Sequence, residues 1–143
     1  MKFGFVTCVN LGYGCLKKIY KNDHKVDLII TLEDRLAIKK SGRVFLDSFA
    51  TKHNISLIKY KNINEINIKK ALIESKINYL FVIGWSQIIN KIILNIPNLN
   101  VIGMHPTLLP KGRGRASIPW AILKNLKFTG VTAFKIDENV DTG

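Results

Sequence analysis

The chain has 143 residues, 47% of them hydrophobic, and 22 basic against 10 acidic side chains give a formal net charge of +12. That length and apolar content describe one globular domain with its own core and exclude a disordered chain. No apolar run is long enough to span a bilayer. The N-terminal run breaks at residues 10–14 and reads as a first strand, not a leader. The charge admits nucleic acid or other anionic partners. The lysines are scattered, however (Lys17, Lys18, Lys21, Lys39, Lys40, Lys52, Lys69 and Lys70), which equally describes a solvated surface. Cys8 and Cys15 form no CxxC pair and are expected as reduced, partly buried thiols of a cytoplasmic protein.

In chain order, Lys2 to Cys8 reads as a buried strand. Asn10 to Gly14 reads as a glycine turn and Cys15 to Tyr20 as the start of a helix. Strand, glycine turn and helix in that order can present free N–H groups to an anion. A tight turn with positive φ at Gly12 or Gly14 explains the residues equally well. Val26 to Thr31 is a second apolar strand, 32–41 a charged loop, and 41–50 a helix offering Val44, Phe45, Leu46 and Phe49 to the core. Arg43, near that helix start, could face an anion. Ile55 to Tyr60 is a third strand, Ile63 to Ser75 an amphipathic helix, and Tyr79 to Ile83 a fourth strand. Gly84 to Gln87 turns into a helical segment, Ile88 to Leu94, closed by Pro97. Asn100 to Met104, Ile118 to Leu126 and Val131 to Ile136 complete a strand, a helix and a sixth strand. This alternation predicts an α/β fold, a Rossmann-like, doubly wound and mostly parallel sheet spanning 1–143. Its last face is expected to be bare, with the domain incomplete at its C-terminal end.

The chemistry concentrates in Val101 to Gly143. His105 precedes a proline, which places it in extended backbone at a strand end. Asp141 stands in an acidic turn past the last strand. If the two strands are parallel neighbours, both groups lie at one carboxyl edge of the sheet, where such folds bind ligands. An aspartate-oriented histidine moves protons near neutral pH. A surface histidine and a plain polar turn, with Asn139 or Gly143 at positive φ, are the simpler readings. Lys111 to Arg115 supplies cations on a glycine-rich backbone, suited to phosphate, carboxylate or RNA. His24 and His53 lack ligand-spaced neighbours and read as surface residues, and no metal site is expected.

The stretches HPTLLPKGRGRASIPWAIL and GVTAFKIDENVDTG resemble the N10-formyltetrahydrofolate-dependent formyltransferases, with Asp141 following His105 by 36 residues. The likeness extends back through the strand and loop at 80–89. Trp85 and the loop at 112–115 lean toward the sugar N-formyltransferase branch. The resemblance implies the formyltransferase catalytic-domain fold and N10-formyltetrahydrofolate as formyl donor. It implies that Gly84, Trp85, Ser86, Gln87, Ile88, Asn139 and Val140 hold the donor, and that His105 and Asp141 act on the formyl group. A primary amine would receive it, with Asn10, Gly12, Arg113 and Arg115 as candidates for binding the acceptor. The expected acceptor is a nucleotide-linked amino sugar. Methionyl-tRNA is the alternative substrate, and a truncated or degenerate folate binder without turnover is the non-enzymatic one. A homodimer is conceivable if the chain continues. The family's Asn two residues before the histidine is here Gly103. Two strand residues advance the chain by roughly 6–7 Å, so Asn100 does not stand in from the same place. Loss of one oxyanion donor typically slows such chemistry by about 10²–10³.

Overall fold

The computed structural model describes residues 1–38, 40–96 and 98–143. Pro97, the expected stop after the fourth strand's helix, lies outside them, as does Lys39. The elements are β1 (Phe3–Val6), α1 (Asn10–Lys21), β2 (Leu28–Leu32), α2 (Asp34–Ala37), α3 (Asp47–His53) and β3 (Ser56–Tyr60). They continue with α4 (Ile66–Glu74), β4 (Tyr79–Ile83), α5 (Lys91–Leu94), β5 (Asn100–His105), α6 (Ser117–Leu123) and β6 (Thr132–Lys135). They build one six-stranded sheet in the order β3-β2-β1-β4-β5-β6. The first five strands pair in parallel, and β6 joins β5 antiparallel.

The strand sequences explain this sheet. Leu28 to Leu32 is buried throughout, as a central parallel strand covered on both faces must be. Side chains alternate between two cores. Val6, Leu28, Ile30, Leu80 and Val101 pack with α4 and α5, while Phe5 and Ile29 pack with α1 and α3. The chain builds β2 and β3 on one side of β1, then crosses to β4 on the other. That reversal opens a crevice at the carboxyl ends of β1 and β4.

Several local expectations are corrected. Residues 10–14 are the first turns of α1, not a glycine turn, and neither Gly12 nor Gly14 takes a positive φ. Gly12 is needed for close approach: a Cβ there would stand 2.0 Å from Thr7 Oγ1. The charged loop after β2 contains α2. The next helix begins at Asp47, because the preceding segment runs extended, with Val9 bridged to Arg43 and the Val44 N–H donating to the Cys8 carbonyl. Phe45 is exposed, outside the core. Arg43 lies ahead of α3 and is spent within the protein, donating through Nη2 to the Leu32 carbonyl at 3.0 Å and to Asp34 Oδ1, at the start of α2, at 3.2 Å. His53 is half-buried against Tyr20 and Phe49. Among the described residues no helix is long and apolar enough to cross a membrane, and no group of three metal-ligating side chains forms.

At the far edge, α6 has no buried residue, and Trp120, Ile122, Leu123 and Phe128 are exposed. At the end of the edge strand β3, the Tyr60 hydroxyl is buried with no protein partner among the described residues. Burial, then the nearby Cys8 and Glu65, push its phenol well above the ordinary range. An unmade hydrogen bond of this kind costs about 1–3 kcal/mol. Tyr60→Phe is therefore expected to leave the melting temperature unchanged or raise it. A clear drop would reveal a partner for the hydroxyl.

Candidate active site

β5 carries His105 to the carboxyl edge of the sheet, where its side chain is nine-tenths buried. Its Nε2 lies 2.8 Å from the Gly112 carbonyl oxygen. A carbonyl only accepts, so Nε2 carries the hydrogen. Nδ1 then faces Asp141 Oδ2 at 3.5 Å. The same Asp141 oxygen accepts from the Gly114 N–H at 2.8 Å. The loop after β5 thus grips both members of the pair, holding the imidazole through Gly112 and the carboxylate through Gly114.

The route that brings Asp141 to this point differs from the sequence expectation. β6 is antiparallel to β5, with Thr132 opposite His105 and Lys135 opposite Ile102. A strand in that direction carries the chain away from the histidine. The acidic turn brings it back. Asp137 organises the turn by accepting from the Asn139 N–H at 3.0 Å and from Thr142 Oγ1 at 2.7 Å. Asp141 itself, not Asn139 or Gly143, takes the left-handed conformation, at φ +53. A left-handed Asp is tolerated better than most residues, since its short polar side chain can bond locally.

The pair opens on a cavity of about 660 Å³. One wall is the loop after β4, Gly84 to Ile88, and another is Asn139 to Asp141, with Arg115 at the mouth. Gly84 adopts φ +66, and a Cβ there would stand 2.4 Å from Val9 Cγ2, so only glycine lets this loop turn so closely over the start of α1. Not every side chain of the loop faces inward. Gln87 accepts from the Ile63 N–H and donates to the Lys61 carbonyl, both at 2.8 Å, and so anchors the loop from behind. Trp85 packs on Tyr60 with ring centroids 5.7 Å apart, and Ser86 accepts from Lys40 Nζ at 2.8 Å. Of the residues expected near an acceptor, Arg115 borders the cavity, whereas Asn10, Gly12 and Arg113 do not line it. Gly12 is buried inside α1, and Asn10 spends its N–H on the Gly42 carbonyl.

Several wall residues escaped the sequence reading, Phe134 and Ile136 among them. Phe134, on β6, and Ile136, just past its end, stand over Gly103, and a Cβ at Gly103 would meet the Phe134 ring at 2.9 Å and Ile136 Cγ1 at 3.0 Å. A glycine directly opposite an aromatic residue is the small–large pairing that antiparallel neighbours use to fill space. The pairing is non-local and leaves no mark in the Gly103 segment. Asn100 sits at the amino end of β5 beside Tyr79, far along the strand from His105. Gly103→Asn is therefore expected to destabilise the chain by about 1–3 kcal/mol through overpacking. Adding Phe134→Ala should recover part of that loss. Thermal melts of the single and double variants check this, and a Gly103→Asn protein as stable as the parent would contradict the packing.

The formyl transferase family matches residues 9–143 of this chain. A methionyl-tRNA formyltransferase from Agathobacter rectalis is 33% identical over 147 residues, an alignment covering 100% of this chain and 47% of that protein. The chain spans about half the length of the curated relatives it matches. The phosphoribosylglycinamide formyltransferase of Bacillus halodurans has the same fold, with a TM-score of 0.76 at 24% identity over 99% of this chain and 75% of that one. A sugar N-formyltransferase from Shewanella superposes with a TM-score of 0.70 at 18% identity, over 100% of this chain and 54% of that one. With residues 9–143 matched by the family model, the chain belongs to the formyl transferase family.

Proposed function

We propose that this domain transfers a formyl group from N10-formyltetrahydrofolate to a primary amine, with His105 and Asp141 as catalytic residues. The observation that carries the reading is the buried His105–Asp141 pair on the wall of a cavity of about 660 Å³. The cavity suits a flat, partly aromatic donor. Val82, Ile89, Phe134 and Ile136 give it apolar walls, His105, Asn139 and Asp141 add polar groups, and its volume falls among small-molecule sites. The Gly84 to Ile88 loop and the 139–141 turn would hold the donor, which supplies an activated formyl carbon when bound.

The chain's own groups define the proton route. Nε2 is committed to the Gly112 carbonyl, so Nδ1 is the basic nitrogen that takes the proton released by an attacking amine and returns it to the donor nitrogen as that nitrogen's bond to the formyl carbon breaks. Asp141, fixed by the Gly114 N–H, stabilises the imidazolium that results. That cation would offset the negative charge that grows on the formyl oxygen. Phe134 and Ile136 close the space beside Gly103, and no side-chain amide enters from that position.

The acceptor is read as the amino group of methionyl-tRNA, ahead of the amino sugar that the sequence first suggested. Curated relatives at 33% identity carry that name, and the net charge of +12 suits a polyanionic substrate. The nucleotide-linked amino sugar remains the second reading, supported by the loop at 112–115 and the shared fold of the Shewanella enzyme. Trp85 gives it less support than expected, because its ring is packed on Tyr60.

Formyl transfer measured with methionyl-tRNA and with amino-sugar nucleotides separates the two acceptors. In the active pairing, His105→Ala is expected to lower kcat by about 10²–10⁴ and Asp141→Ala by a similar order, with melting curves near the parent's. Parental turnover in the His105 variant would contradict the mechanism. Donor binding without turnover on any amine would assign the chain to the non-catalytic alternative.

A further inference from the structure

A second concavity lies between α1 and α3, outside the His105 cavity, with a volume of about 420 Å³. Its floor is aromatic. Phe49 is buried at the bottom, and Tyr13 and Tyr20 meet it edge-on with centroids 5.6 and 5.3 Å away. His53 lies against Tyr20 and Phe49 at 4.2 and 4.5 Å. The Tyr20 hydroxyl is tied to the Val26 backbone at 3.3 Å, which fixes the floor. Its rim is cationic, formed by Lys17, Lys21 and Lys52, all exposed.

Some cations elsewhere are neutralised by carboxylates. Lys59 is bridged by Asp34 and Asp47, and Lys91 by Glu138. Lys17, Lys21 and Lys52 enter no ion pair among the described residues, and no carboxylate lines the groove. Lys17 and Lys21 also stand one helical turn apart, where like charges repel. Unneutralised cations around an aromatic floor are the arrangement that receives phosphates on the rim and a base on the rings. Tyr13, Lys17 and Lys21 recur at helical spacing on one face of α1, whereas Leu11, two residues before Tyr13, lines the His105 cavity, so the groove is separate from that site.

We propose that the α1–α3 groove binds a nucleotide unit of an RNA strand, with the phosphodiester on Lys17, Lys21 and Lys52 and a base against the aromatic floor. The inference rests on the groove's own charge and shape. Its test reads binding alone, so it stands or falls separately from formyl transfer.

The experiment is fluorescence anisotropy of the full chain with a labelled oligouridylate of about twelve nucleotides, across a salt series. Lys17→Glu/Lys21→Glu/Lys52→Glu is compared with Lys70→Glu/Lys76→Glu/Lys127→Glu, which lowers the net charge equally at exposed lysines elsewhere. The groove variant is expected to bind about tenfold or more weakly, with a log–log salt slope shallower by about 2, as three lost phosphate contacts on a single strand require. The comparison variant should lose far less. Glutamine replacements at the three groove positions keep the test sharp should the glutamates disturb folding, and melting curves report that directly. Equal losses in the two sets, or none in the groove set, would overturn the proposal. A strand of the same length lacking bases should bind about fivefold or more weakly, and equal binding would remove the base from the groove. AMP displacing the strand at a concentration equal to the strand's own Kd would assign the groove to a free nucleotide and overturn the strand.

Discussion

The candidate site depends on one constraint, the grip of the 112–114 backbone on both members of the His105–Asp141 pair. The Gly112 carbonyl fixes which imidazole nitrogen carries hydrogen, and the Gly114 N–H fixes the carboxylate that faces the other nitrogen. Two residues far apart in sequence become one paired unit because a single loop holds each through its main chain. The loop can do this only because the chain reverses after β6. An antiparallel last strand would carry Asp141 to the wrong edge of the sheet. The turn built on Asp137, and the left-handed backbone at Asp141, undo that displacement. The ion pair between Lys91 and Glu138 ties the turn to α5.

The rest of the cavity follows from close approach between backbones. Gly84 turns above the start of α1, and Gly12 lets α1 settle onto Thr7. Gly103 gives up its side chain to make room for Phe134. In each case a missing Cβ is filled by a neighbour on another element, so the cavity is bounded by packing as well as by polar groups. The parallel core holds these neighbours in register, and the crossover from one side of β1 to the other supplies the crevice.

Much of the fold was legible because its signals are local. Short apolar runs at 28–32 and 79–83 read as covered strands, and their alternation with helices predicts the parallel sheet. The edge was not legible. β6, Thr132 to Lys135, has the same short apolar character whichever way it runs, and its direction depends on pairing with β5. The start of α1 was misread for a related reason. Two glycines argue against helix when taken alone, and only the contact with Thr7 explains one of them. The histidine and the aspartate stood out through the family resemblance, while Phe134, Gly112 and Gly114 act through cross-strand contact or main chain and leave no residue-type signature.

The central claim is that this cavity is a folate site whose wall includes the His105–Asp141 pair. The most direct measurement is a calorimetric titration of the chain with 5-formyltetrahydrofolate, a poor formyl donor of the same shape, run beside Asp141→Ala and Phe134→Trp. The account predicts saturable binding at one site, weakened by the first substitution and abolished by the bulkier ring of the second. No binding by the folded parent chain, or binding indifferent to both substitutions, would contradict it.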